Sequence, residues 1–256
     1  MALYTRYPAS SYRVGGFFPR GVKWLLIINF AVFVFFFFLG VLSPAMAGGF
    51  LEIFGLRAFL FVRGAIWQPF TYMFLHDPTS IWHILFNMLT LWMFGADLER
   101  EWGTRQFLRF YFLCGIGAGL CVVAANAAVG GDMQRATIGA SGAIYGLLMA
   151  FGVLFPDRIV LFSFLFPMKA KYFVMILGAI AFLSSMGSGN SNVSNVAHLG
   201  GMIFGYIYLK SRLGRVRFSM AASLTRGYRQ WKLARAKRKF KVYLRKQNRD
   251  SDRWVN

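Results

Sequence analysis

The sequence is short of charge. Asp, Glu, Lys and Arg make up 15% of its 256 residues, and only nine of them are acidic. A water-soluble domain of this length needs more charge than that to cover its surface, so a soluble enzyme is excluded. Cysteine is also scarce, with Cys114 and Cys121 alone. Seven helical residues separate the two by about 10 Å, too far for a bridge, and no disulfide framework is implied. Internal repeats and mid-membrane charges are missing, which argues against a transporter or channel. No H-E-x-x-H pair is present to hold a catalytic zinc, and no cofactor is expected.

Apolar residues fill the space that charge leaves. Hydrophobic residues make up 57% and aromatic residues 18%, with a mean hydropathy of +0.50. The apolar runs are continuous rather than alternating, which predicts helices and not a barrel. The expected class is an all-α polytopic membrane protein, a bundle of six transmembrane helices. Its spans fall at Trp24–Leu42, Ile81–Ala96, Phe107–Val129, Ala140–Phe155, Tyr172–Ser185 and Val196–Lys210. Glu52 and Arg57 interrupt the apolar stretch Gly49–Val62, which reads as an interfacial element. A further apolar piece, Ile159–Phe166, precedes the fifth span.

Positive charge is distributed by side. Arg6, Arg13, Arg20 and Lys23 precede the first span, in the manner of a signal anchor. From Lys210 onward there are 16 Lys and Arg against Asp250 and Asp252. Six spans with residues 1–23 and 211–256 both cytoplasmic satisfy the positive-inside rule in every loop. The expected organisation is a cytoplasmic segment 1–23, a six-helix domain 24–210 and a basic cytoplasmic tail 211–256. Integration in the plasma (inner) membrane is expected. The tail mixes aromatic with basic residues, a composition suited to the anionic inner leaflet. Lys and Arg alone do not separate one phosphate source from another, but no nucleic acid partner is expected.

That topology runs spans two, four and six in one direction, from outside to inside. Each opens with polar residues: His83 and Asn87 on one face of span two, Ser141 at the start of span four, His198 near the start of span six. Polar groups at this depth are costly and mark function. Singly, each also fits a packing role. Together they supply a nucleophile, a base and oxyanion donors, the inventory of acyl transfer. Gly142 with Gly146, and Gly201 with Gly205, allow the two helices to approach closely. Tyr145 lies one turn below Ser141, where its ring can stack on His198. The acidic residues lie in loops, at span ends or in the tail, so a Ser–His dyad is expected rather than a triad.

The pieces "HILFN" (83–87), "GASGAIYG" (139–146) and "AHLGGMIFG" (197–205), in this order, resemble the rhomboid family of intramembrane serine proteases. "WQPFTYMFLH" (67–76) and "LEREWGTRQF" (98–107) resemble the segments that flank the family's second helix. The resemblance implies a six-helix fold whose wet active site opens outward and which cuts the transmembrane segments of single-pass membrane proteins near their outer ends. It implies Ser141 as nucleophile and His198 as base, with His83, Asn87 and the Ser141 N–H as oxyanion hole. Tyr145 would pack on His198 and Gly139 would shape the turn, with Gly142 beside them. The family's usual Trp-Arg pair reads Trp67-Gln68 here. The uncharged stretch 184–195 would act as a cap over the site. An alternative within the same resemblance is an inactive relative that binds or chaperones transmembrane helices.

Overall fold

The computed structural model describes residues 18–129, 132–162, 165–186 and 194–211. The chain divides into two compact units, Met1–Tyr208 and Leu209–Asn256. Of the second unit only residues 209–211 are described, as helix. The basic tail beyond 211, residues 1–17 and positions 187–193 of the expected cap lie outside the described residues.

The first unit is built from helices. They are α1 (Arg20–Leu42), α2 (Pro44–Phe54), α3 (Ala58–Phe61), α4 (Gln68–Thr71), α5 (Ile81–Trp102), α6 (Thr104–Val129), α7 (Ser141–Leu154) and α8 (Ala170–Met186). A further helix, α9, covers residues 194–211. Three of them, α1, α5 and α6, are long and apolar enough to cross a membrane, while α7 and α8 are shorter apolar helices. Each expected span is found as a helix, with ends moved by a few residues.

The all-helical expectation is corrected at one place. Ile159–Phe162 (β1) and Phe166–Lys169 (β2) pair antiparallel between α7 and α8. The run I-V-L-F is β-branched and aromatic and too short for a helix of its own, so it pairs as a strand.

Packing in α1 follows helical spacing. Val22, Leu25, Asn29, Phe33 and Phe36 are buried on one face, while Trp24, Phe30 and Phe38 are exposed on the other. Both faces are apolar, as a helix between protein and lipid requires. The start of α1 is held by a residue that sequence reading passed over. Glu99, buried in α5, accepts the backbone N–H groups of Gly21 and Val22, each at 2.7 Å, and the Thr104 hydroxyl at 2.6 Å. A carboxylate there meets the unpaired N–H groups of the first turn.

Residues 43–80 form a folded loop. Ser43 and Pro44 start α2, with the Ser43 hydroxyl accepting the Met46 N–H. The stretch Gly49–Val62, expected as an interfacial element, holds the latter part of α2 together with α3. Gln68 is buried. Its amide donates to the Glu52 carbonyl at 2.9 Å and its oxygen accepts the Arg57 N–H at 3.0 Å. The Trp67 indole donates to Ile53 O at 2.9 Å. A neutral amide thus pins the loop with both its donor and its acceptor.

Close contact between α7 and α9 decides the rest. A Cβ on Gly201 would collide with the Gly142 carbonyl, and one on Gly205 would lie 3.1 Å from Gly146 O. The two glycine pairs read in the sequence therefore face each other backbone to backbone. Gly201→Ala is expected to cost about 1–3 kcal/mol by overpacking, read as a lower melting temperature in detergent. Gly48→Ala, in open space, is expected to leave stability equal or up to ~1 kcal/mol higher. Equal melting temperatures for the two variants would refute the close-packing account.

Candidate active site

Ser141 is the first residue of α7, so its N–H is one of those the helix leaves unpaired. The turn before it needs glycine. Gly139 has φ +120, and a Cβ there would also lie 3.0 Å from His83 Nε2. The Gly139 N–H donates to Tyr72 O at 2.9 Å. An isolated bridge between Leu56 and Thr137, with N–H to O distances of 3.0 and 2.8 Å, ties the folded loop to the same segment. The 43–80 loop is therefore part of the nucleophile's support.

His198 comes from the first turns of α9, and its Nε2 lies 2.9 Å from Ser141 Oγ. The Tyr145 ring stacks on it with centroids 4.0 Å apart and planes 3° from parallel. His198 Nδ1 is buried and without a hydrogen-bond partner among the described residues. Its orientation comes from aromatic stacking, not from the carboxylate of a triad. Gly142 does not face Ser141's partners; it packs against Ala118 of α6 and Ala197 of α9, and so seats the residue next to His198.

On the opposite wall, α5 presents His83 and Asn87 one turn apart. His83 Nδ1 accepts the Asp77 N–H at 3.3 Å, which leaves Nε2, beside the Gly139 turn, as the N–H of the neutral ring. Asn87 donates one amide hydrogen to His83 O at 2.7 Å and keeps the other. Ser141, His198, Tyr145, His83 and Asn87 all line one cavity of about 710 Å³. The arrangement offers a hydroxyl with an adjacent base, the Ser141 backbone N–H beside it and, across the cavity, N–H groups from His83 and Asn87. Nucleophilic attack on a carbonyl, with a hole for the resulting oxyanion, is the chemistry it suits.

His76, in the connection before α5, was not singled out as a site residue in the sequence. It is fully buried, its ring nitrogens have no partner among the described residues, and its ring lies 5.1 Å from that of His83. The signal available was compositional, since it is one of only three histidines. Burial, with the neighbouring His83 second, pushes its pKa down to about 3 from 6.5. Below 6.5 the unfolded chain therefore takes up a proton that the folded one refuses. Stability contributed by neutral His76 is complete above 6.5 and is lost as pH falls from there toward about 3. His76→Phe is expected to flatten the fall of melting temperature across that window. Parallel pH curves for wild type and variant would refute this.

Residues 63–215 match the family model described as a Rhomboid domain. The chain is 33% identical over 134 residues to Rhomboid protein 1, mitochondrial, of Saccharomyces cerevisiae, covering 50% of this chain and 37% of that protein. It is 31% identical over 147 residues to the Putative rhomboid protease YdcA of Bacillus subtilis, covering 57% and 66%. Against the Rhomboid protease AarA of Providencia stuartii it is 30% identical over 169 residues, covering 60% and 59%. The matched region spans only part of each relative's length.

Proposed function

Because the chain belongs to the rhomboid family, we propose that it is an intramembrane serine protease, cutting transmembrane segments of single-pass proteins near their extracytoplasmic ends through a Ser141–His198 dyad. The observation that carries this reading is the 2.9 Å contact between His198 Nε2 and Ser141 Oγ, with the imidazole stacked on Tyr145. His198 takes the Ser141 proton as Oγ attacks the scissile carbonyl, and returns it to the leaving amine. His83 Nε2–H, the free Asn87 amide hydrogen and the Ser141 N–H receive the oxyanion. Water then repeats the sequence on the acyl-enzyme.

The reading extends to topology. α1, α5, α6, α7, α8 and α9 are the six spans of the domain 24–210, held in the plasma (inner) membrane with residues 1–23 and 211–256 cytoplasmic. Lys and Arg asymmetry supports that orientation, and the basic tail rests on the anionic inner leaflet. At 14 residues, α7 spans about 21 Å against a hydrocarbon core of about 30 Å. If its far end sits at the inner surface, Ser141 lies below the outer one, and the cavity brings water down to it.

Cleavage of a single-helix substrate in liposomes tests the proposal. Wild type is expected to cut and Ser141→Ala to lose all activity; equal cleavage by both sinks the assignment. No cleavage by wild type of any transmembrane substrate would favour a helix-binding relative instead. His83→Ala and Asn87→Ala are each expected to lower kcat by roughly ten- to a thousand-fold, with KM changed much less. A rise in KM at constant kcat would remove those residues from the oxyanion hole.

A further inference from the structure

The ribbon between α7 and α8 has no place in the chemistry above, and its surface is unusual. In an antiparallel pair, cross-strand partners point to the same side. Ile159 opposite Lys169 and Leu161 opposite Pro167 share one face, and Val160 opposite Met168 shares the other with Phe166. A ribbon packed on protein would be apolar on one face and polar on the other. Here Ile159 (60%) and Leu161 (51%) are exposed on the first face and Phe166 (62%) on the second, with Leu165 (73%) beside it. Among the described residues little covers either face, although Val160 and Met168 are half-buried.

Three constraints locate it. An uncovered two-stranded ribbon with apolar faces is at best marginal in water. Its two edges leave backbone N–H and C=O groups unpaired, which excludes the hydrocarbon core. Its position follows that of the helix ends. The Ala170 N–H donates to Arg158 O at 2.8 Å and the Lys171 N–H to Pro156 O at 3.2 Å, closing its base onto the end of α7 and the start of α8. Water and headgroups at a bilayer surface can satisfy the edges while the side chains reach the acyl boundary.

The base of the ribbon adds charge. Asp157 is shared by Lys169 and Lys171, each at 3.2 Å, and this exposed group keeps one positive charge in excess. The lysines hold the Asp157 carboxyl below its ordinary range. Phosphate is the natural counterpart of such a group.

We propose that the paired strands β1 and β2 are a phospholipid-binding element: Ile159, Leu161, Leu165 and Phe166 enter the acyl boundary of the leaflet opposite the Ser141 cavity, and Lys169 and Lys171 hold headgroup phosphate. The proposal rests on α7 and α8 crossing the membrane. Because α7 runs from the ribbon to Ser141, the ribbon fixes the depth of the nucleophile.

The test is nitroxide labelling of the full chain in vesicles of phosphatidylcholine mixed with phosphatidylglycerol. Leu165→Cys carries the probe, Phe166→Cys replaces it if the first variant misfolds, and Ile180→Cys in the middle of α8 is the reference. Wild type labelled in parallel gives the background from Cys114 and Cys121. Collision with oxygen exceeding collision with a water-soluble nickel chelate at both positions is the expected result. A lipid-facing Ile180 with a nickel-accessible ribbon overturns the ribbon proposal alone. A nickel-accessible Ile180 overturns the spanning reading beneath it. Spin–spin broadening at the ribbon means contact with a second copy and also overturns the proposal. Adding Lys169→Gln and Lys171→Gln is expected to shift the Leu165 probe toward water, and an unchanged depth refutes the phosphate contact.

Discussion

The contact on which the structure depends is between two backbones. Gly201 of α9 sits against the Gly142 carbonyl of α7 with no room for a methyl group. That distance lets a residue one turn before Gly201 reach a residue at the first position of α7. His198 and Ser141 are 57 positions apart in the chain, and helices separated by ordinary Leu or Phe side chains would hold them beyond hydrogen-bonding distance. Close packing is here the means by which a chemical pair is assembled.

A second layer fixes what the first brings together. The folded loop 43–80 touches the Gly139 turn through Tyr72 O and the Leu56–Thr137 bridge. Gln68 holds that loop from inside by bonding to backbone groups of residues 52 and 57. Asp77 sets the tautomer of His83 through a backbone N–H. Much of the support is main chain, so it does not add the cost of fixing long side chains to that of the ordered backbone.

This explains which parts were legible in the sequence. Helices declared themselves by apolar length, and Ser141, His198, His83 and Asn87 by being polar where polarity is costly. The glycine pairs were readable because their spacing has one geometric meaning. The loop was not readable in the same way. Its bonds run from side chains to carbonyls many positions away, and the sequence carries no periodic mark of that. Glu99 was hidden for a related reason: next to Arg100 and Glu101 at a helix end it looks like a solvated charge, and only the approach of α1 buries it. The ribbon was read as an apolar piece because a short run without alternation does not distinguish strand from helix.

Among the described residues no carboxylate bonds to His198, and this has a consequence for how the protein is made. Serine, tyrosine, asparagine and two imidazoles, the side chains of the dyad, its stacking ring and the donors across from it, can all rest without charge, although Asp77 and Arg135 also line the cavity. A buried aspartate among them would have to enter the bilayer as an anion or take up a proton to do so, and either is costly. As built, the dyad and its oxyanion donors add no charge to the helices that carry them; the acidic residues of α5, Asp97, Glu99 and Glu101, lie at its other end. In the proposed reaction, charge separation is then confined to the moments when a substrate carbonyl is present to share it.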